Sequence, residues 1–518
     1  MKNRYIISLV LVVVSVISFT SCEDNLDIKQ HSVSAIDSYY QTDSEAEEGI
    51  VACYGAFRSI HSGFLGTLQQ TENNLSDDIW PGGGNHYDGS GWQLGDYTFD
   101  AANATITGLY SAFYTLVYRS NVVIEKVTGT SEVMKRAVAE AKVFRAYAYF
   151  YLTFFWGTPP LVDHTLAASE YLQSNGNTAD LWAFVESDLN EAINSGALTQ
   201  KSGLSDKNYR VTKQFAQALL GKTYLFEKKY SEAASMLDNV ITSNLYALNP
   251  DLSNAGTPLG VMTQESIFEV NQINDRAQSV NNNFRWTAMG LRGEKYSYDN
   301  AKNIFATATW GFEQPTKKLY DAFVSVEGVD GYRLNNTIKT RQQMIDQFGV
   351  NNIMVITDNE GYYGFKYRTL NSIWAGYFYA NNTRVMKYNE VLLLAAEAYL
   401  QSGNTPKATQ YINMIRTRAQ APTIAGNVTM DQIKTESLLE LCWEGQRFEN
   451  LQRWGDAPTI LAEKGTKNPA LQTDGSVAWE VYNTDASKCG YKVGKHELFP
   501  FPSNEMNVNP NMTQNPGW

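Results

Sequence analysis

The chain has 518 residues, a formal charge of −12 and 13% aromatic residues, including 31 Tyr and 11 Trp. That length allows a large buried core and roughly two to four domains. No Lys/Arg cluster offsets the negative charge, so a polyphosphate backbone is excluded as a natural partner and no nucleic acid is expected.

Lys2 and Arg4 open the chain, and the 15 residues Tyr5–Phe19 come next without a charge. A bilayer span takes roughly 20 apolar residues, so this run reads as the core of a secretion leader. Thr20 and Ser21 supply the small side chains a signal peptidase needs, directly before Cys22. The pattern predicts cleavage after residue 21 and lipidation of Cys22, although Phe19 stands where Leu or Val is usual. An ordinary secreted protein cut nearby is the alternative. Each buried methylene of an acyl chain contributes ~0.8 kcal/mol, so a multiply acylated cysteine anchors stably to outer-membrane lipid. Loss of the two cations Lys2 and Arg4 with the leader takes the charge from −12 to −14. Residues 1–21 are the leader and 22–45 the tether.

Helical periodicity dominates the chain beyond the tether. "SEVMKRAVAEAKVFRAYAYFYLTFFWG" (131–157) repeats apolar residues at helical spacing and stops at Gly157 and Pro159-Pro160. "TADLWAFVESDLNEAINSG" (178–196) reads as a second helix with Thr178 or Asp180 as its N-cap. "ALLGKTYLFEKKYSEA" (218–233) and "LLLAAEAYLQSGNTPKA" (392–408) are self-similar: Tyr224 matches Tyr399, and Ala233 matches Ala408. Small residues, a short polar turn and a second helix are the tetratricopeptide helix–turn–helix pattern. The two copies lie too far apart for one uninterrupted array. The expected fold is mainly α-helical, a discontinuous scaffold of at least three hairpins with a loop-rich face.

Residues 73–105 contain "PGGGNHYDGSGW", too rich in glycine for a helix or central strand, and residues 250–380 lack long periodic runs. Short elements and ordered loops are expected in both, and loops on a rigid scaffold are where binding concentrates. An N-terminal region 46–245 thus carries the early loop. A C-terminal region 246–518 carries the loop-rich insert and the hairpin at 385–420. Cys53, Cys442 and Cys489 are far apart and lack metal-ligand spacing. They are expected as small buried residues, with a single disulfide as the alternative.

Four blocks together resemble the SusD/RagB-like outer-membrane nutrient-binding lipoproteins of Bacteroidota. They are "SCEDNLDI", then "AEAKVFRAYAYFYLTFFWGTPPLV" (139–162), then "YNEVLLLAAEAYLQSGNTPKATQYINMIRTRA" running to "ELCWEGQRFENLQRWG", and the closing "LFPFPSNEMNVNPNMTQNPGW". Ser437 and Asn450 depart from the family's usual Arg and Asp, at positions that look like ion-pair partners. The resemblance implies a tetratricopeptide-containing scaffold facing the cell exterior as a lid over a SusC-like TonB-dependent transporter. It implies capture of oligosaccharides, or of peptides in some members. Glu23 and Asp24 resemble the signal that sends such lipoproteins to the outer face.

A pyranose stacks its apolar C–H face on indole while its hydroxyls seek polar groups. Trp156, Trp182, Trp443 and Trp454 fall on helical or scaffold blocks and are expected in the core. Trp80, Trp92, Trp286, Trp310 and Trp374 lie in loop-like sequence. The family's platform draws on early and middle loops, so Trp80, Trp286 and Trp310 are expected to form it, with Tyr87, Trp92 and Tyr298 as secondary candidates. Asp78, Asn283 and Arg285 are polar groups placed to bond hydroxyls. Glu440 and Glu444 share a helix face, but neighbouring arginines would consume both as salt-bridge partners, so no catalytic pair is expected. "PGGGNH" lacks the Lys-Ser/Thr of a phosphate loop, and no loop motif specifies calcium or another cofactor. The sequence reads as a non-catalytic surface protein for a neutral glycan. Peptide capture and a secreted glycosidase are the competing readings.

Overall fold

Capping side chains stand where several of the periodic segments begin. In a computed structural model, residues 39–63, 66–83, 89–272, 284–307, 309–373, 381–481 and 485–518 are described, without the side chains of 284–286 and 486. Helix α1 (Asp43–His61) opens behind a reciprocal capping box between Thr42 and Glu45. Helix α2 (Leu68–Leu75), strand β1 (Ile79–Gly82) and helix α3 (Ser90–Asp96) come next. Helix α4 (Ala104–Lys126) is capped by Asn103, and α5 (Glu132–Trp156) by Ser131. Gly157, at φ 71°, ends α5 in a conformation costly for any residue with a Cβ.

Helix α6 (Thr178–Asn194) corrects the expected cap. Asn177 is the cap, its side chain accepting from Ala179 N at 2.9 Å and Asp180 N at 3.3 Å. Thr178 is already the first helical residue, and a cap stands just before it, where it is worth ~1 kcal/mol.

The self-similar segments form two helical hairpins. The first pairs α7 (Lys213–Phe226) with α8 (Tyr230–Thr242). A Cβ at Gly221 would lie 2.6 Å from Leu237 Cγ, so α7 and α8 approach more closely than alanine permits. After α8 come strand β2 (Ser266–Val270), strand β3 (Phe312–Pro315) and helix α9 (Lys317–Glu327). Strand β4 (Ile356–Thr357) precedes strand β5 (Thr383–Lys387), which leads directly into the second hairpin. That hairpin is α10 (Tyr388–Gln401) and α11 (Thr405–Arg418), joined through Gly403 at φ 91°. Helices α12 (Met430–Leu441) and α13 (Gln446–Trp454) and strands β6 (Asn468–Leu471) and β7 (Val477–Glu480) lie between it and the C-terminal segment.

Helices α4 to α8 each pack on the next, and α10 packs directly on α8. Lys407 Nζ, on α11, reaches Asp238 of α8 at 2.8 Å, and Tyr411 bonds the same carboxylate. The repeats are therefore interrupted in sequence and contiguous in space. Antiparallel pairing of β2 with β5 closes the two ends of the intervening segment, so the insert leaves and re-enters the scaffold at one place.

The insert holds two small cores of its own. One gathers Leu319, Phe323, Leu334 and Ile338 against Leu439 and Trp443, and the other gathers Phe305, Met344, Tyr363 and Phe365 with Leu471. The C-terminal segment staples back onto α5. Phe499 stacks on Phe155 with ring centroids 4.6 Å apart, Trp156 Nε1 donates to Pro500 O at 3.0 Å, and Asn515 Nδ2 donates to Trp156 O at 2.9 Å. Cys53, Cys442 and Cys489 are buried free thiols. No helix among the described residues is long and apolar enough to cross a membrane.

Candidate functional site

Strands β1 and β3 form an antiparallel ribbon that pairs Trp80 with Gln314 and Gly82 with Phe312. It joins the early loop to the insert, and each flank holds a concavity. Trp80 lines a cleft of about 260 Å³ with Trp479, Glu360, Asp77, Lys318 and Lys467. Pro81, Trp92 and Phe312 line a smaller cavity of about 170 Å³. Successive strand residues point to opposite faces, which sends Trp80 and Pro81 to different concavities.

Within the cleft the rings of Trp80 and Trp479 stand 6.2 Å apart at 62°, forming a corner rather than a flat platform. Trp80 Nε1 donates to Glu360 Oε2 at 2.9 Å, and the same oxygen accepts from Lys317 N at 2.7 Å at the start of α9. The helix N-terminus offers free N–H groups and a positive dipole end, which suits a carboxylate. Trp479, 51% exposed, stands on β7 opposite Pro469. Strands β6 and β7 form a hairpin that also pairs with β4.

The two adjacent aspartates diverge. Asp77 lines the cleft and is held by Arg447 at 2.7 Å and Lys318 at 2.5 Å. Burial alone would raise its pKa, but Arg447 and then Lys318 pull it well below the usual carboxylate range. Asp78 is a correction to the expected hydroxyl-binding role. It is 2% exposed, accepts from Ser76 Oγ at 2.5 Å and lines neither concavity. Burial, then the charge of Asp77, pushes its carboxyl up to about 6. Lys464, also in the cleft wall, donates to Asn74 O at 3.1 Å and to Ser76 O, and burial lowers its ammonium to about 8.

The remaining candidates fall in different places. Trp92 donates through Nε1 to Asp358 at 3.2 Å, and its ring lies 5.9 Å from Phe312. Trp310 is half-buried two residues before β3, its main-chain N–H donating to Thr287 O at 3.3 Å. Tyr298 is a second correction: it packs on the Phe305 core with its ring 6.3 Å from Tyr296, and burial raises its hydroxyl to about 12. Cys22, Tyr87, Asn283 and Trp374 lie outside the described residues, as do the side chains of Arg285 and Trp286. Trp80 therefore lies on the ribbon and Trp310 just ahead of its second strand, while Trp479 and Glu360 were not foreseen. The signal for Trp479 was Asp474-Gly475 between two short β-like runs, a hairpin signature.

Glu440 lies on α12 but Glu444 falls beyond the helix end, so the two do not share a helix face as expected. Both are nonetheless consumed, by cations from distant segments rather than by adjacent arginines. Glu440 is bonded by Arg333 at 2.9 Å, by Arg418 and by Asn389 at 2.6 Å. Glu444 is held by Lys366 at 2.7 Å and Lys387 at 2.8 Å. Burial opposes ionisation of both, but Arg418 and Arg333 around the first, and Lys366 and Lys387 around the second, shift each pKa downward. Arg447 serves Asp77 instead. Asn450, at one departure from the family pattern, accepts from Arg453 at 2.9 Å.

Two family models match this arrangement along most of its length. The model described as the SusD family covers residues 331–518, and one described as starch-binding and associating with the outer membrane covers residues 50–225. The chain belongs to the SusD-like family. A SusD-like protein of Formosa agariphila is 22% identical over 97% of both chains, and one of Bacteroides ovatus is 22% identical over 98% of this chain and 97% of its own. Among solved structures, a laminarin-binding SusD-like protein is 26% identical with a TM-score of 0.78, covering 92% of this chain and all of its own. Surface glycan-binding protein A from Bacteroides thetaiotaomicron, solved with laminarihexaose, shares the fold at 22% identity and a TM-score of 0.72, covering 92% of this chain and all of its own. SusD-like relatives thus carry glycan-binding descriptions and an outer-membrane association.

Proposed function

We propose that this SusD-like chain is a non-catalytic capture protein that takes an oligosaccharide at the cell surface and passes it to a partner TonB-dependent transporter. Lipidated Cys22 holds it to the outer membrane, facing outward. The observation that carries this reading is the Trp80–Trp479 corner, open to solvent and flanked by the Glu360 carboxylate. One indole offers a stacking face and the other bounds the sugar's edge, while Glu360 has acceptor capacity for a hydroxyl. The cleft of about 260 Å³ lies below the ~300–1,000 Å³ usual for drug-sized ligands. It suits one or two sugar rings, the rest of the chain lying on the surface. The pairing of Glu440 and Glu444 with cations supports the absence of catalysis, because neither is free to act as an acid.

Calorimetry of the protein truncated before residue 23, with a panel of neutral glycans led by laminarin, tests the reading. Binding to one glycan that is lost in Trp80→Ala and Trp479→Ala, with folding intact, is the expected result. Silence across the panel, or binding that ignores both indoles, overturns it. For the anchor, Cys22→Ala is expected to move the protein from the membrane fraction to the soluble one.

A further inference from the structure

Backbone contacts run from Glu360, in the Trp80–Trp479 cleft, to a second depression. The next residue, Gly361, accepts from Arg341 N at 2.8 Å, and the Arg341 guanidinium donates to Thr473 O at 3.1 Å. Thr473 stands on the turn of the β6–β7 hairpin whose second strand carries Trp479. Two stretches of backbone therefore tie the cleft to a second depression, of about 580 Å³. It is lined by Lys295, Arg341, Asn352, Met354, Val355 and Thr473.

The side chains lining this depression are cationic or uncharged, on a chain whose formal charge is −12. Lys295 and Arg341 form no ion pair among the described residues, and Arg341 Nε is buried without a hydrogen-bond partner. Of the acids close in sequence, Glu294 pairs with Arg292 at 2.6 Å. Asp474 accepts from Ser476 Oγ and N at 2.7 and 2.9 Å, and these bonds, with the nearby Arg341 charge, lower its pKa, although it forms no ion pair with the guanidinium. Gly475, at φ 90°, lets the turn lie against the guanidinium: a Cβ there would sit 3.3 Å from Arg341 Nη1. A guanidinium fixed in this way presents a planar fork to a carboxylate or sulfate. Met354 and Val355, 51% and 41% exposed, add an apolar floor on which a ring can rest.

We propose that this depression is a subsite for an anionic substituent, a carboxylate or a sulfate ester, on the saccharide held in the Trp80–Trp479 cleft. The proposal rests on the glycan-binding reading of that cleft and assigns its ligand to the charged class. Net charge alone favours a neutral glycan. Charge acts through a screening length of about 8 Å at physiological salt, however, so the two local cations outweigh distant acids at the point of contact.

Affinity electrophoresis in gels containing laminarin, sulfated laminarin or carboxymethyl-laminarin tests this with one backbone throughout. The wild type is expected to bind at least one charged derivative about tenfold more tightly than neutral laminarin. Which derivative is preferred tells sulfate from carboxylate. In Lys295→Ala/Arg341→Ala the ratio of charged to neutral affinity is expected to fall to about one, as it also does for the wild type at high salt. Retardation by neutral laminarin with no preference for either derivative overturns the anionic subsite and leaves the glycan-binding cleft standing. Preference that depends on Arg341 but survives Trp479→Ala overturns the link to the cleft. No retardation on any gel overturns both.

Discussion

Two charged regions of the molecule behave differently. Around the end of α12, Glu436, Glu440 and Glu444 are buried and each is matched to at least two cations or donors. At the Trp80 cleft, Lys467 and Glu463 are exposed, and the Trp479 indole is half open to solvent. A desolvated carboxylate costs several kcal/mol unless it is paired, so the first set is committed to holding helices together. The second set keeps its hydration until a ligand displaces water. The same residue types thus serve stability or recognition according to what surrounds them.

The largest effect that can break this contrast is at Glu440. Removing it in Glu440→Ala leaves Arg333 and Arg418 without a shared partner and is expected to cost about 3–5 kcal/mol in urea unfolding. A loss below 1 kcal/mol would mean the network contributes little. Asp78→Asn is expected to act in the opposite direction. The carboxyl titrates near 6 in the folded state against an ordinary value of 3.8, so the unfolded chain ionises first as pH rises. Folding is penalised progressively from about pH 4 to pH 6, and fully above pH 6. The neutral amide removes that penalty. Asp78→Asn should therefore stabilise by about 1–3 kcal/mol at pH 7 and by nothing below pH 4. Its glycan affinity should be unchanged, because Asp78 faces neither concavity.

On the cleft side, Trp479→Ala is expected to weaken glycan binding about tenfold, which is ~1.4 kcal/mol, with unfolding shifted by less than about 0.5 kcal/mol. A stability loss without an affinity loss would make this tryptophan a packing residue. Glu360→Gln is the smallest of the four. It keeps an acceptor for Trp80 Nε1 but removes the charge at the start of α9. A two- to threefold fall in affinity by calorimetry is expected, because a neutral amide accepts a sugar hydroxyl more weakly than a carboxylate does, while the lost dipole interaction costs a few tenths of a kcal/mol of stability instead.

Local chemistry made much of the fold legible in the sequence. The periodic run through Phe144 and Tyr151, with Gly157 as its stop, specified α5 because helix geometry and glycine's conformational freedom act within a few residues. The hairpin repeats were readable for the same reason. That Glu440 and Glu444 would be spent on ion pairs was expected too, but their partners Arg333, Arg418, Lys366 and Lys387 arrive from distant segments rather than from the adjacent sequence. The Asn177 cap was missed by one position, where Asn, Thr and Asp compete on nearly equal terms.

The site depended on longer-range contacts. Trp80 joins Trp479 across some 400 residues of chain, through a ribbon to the insert and a hairpin that pairs with β4. No local pattern carries that information, because it depends on which faces remain uncovered once the scaffold has closed. Asp77 and Asp78 show the same division at single-residue scale. The sequence by itself determined only that two carboxylates stand side by side in the chain. Only the tertiary structure decided that Asp77 meets Arg447 in the cleft wall while Asp78 is enclosed, since burial and the arrival of a distant cation are properties of the assembled fold.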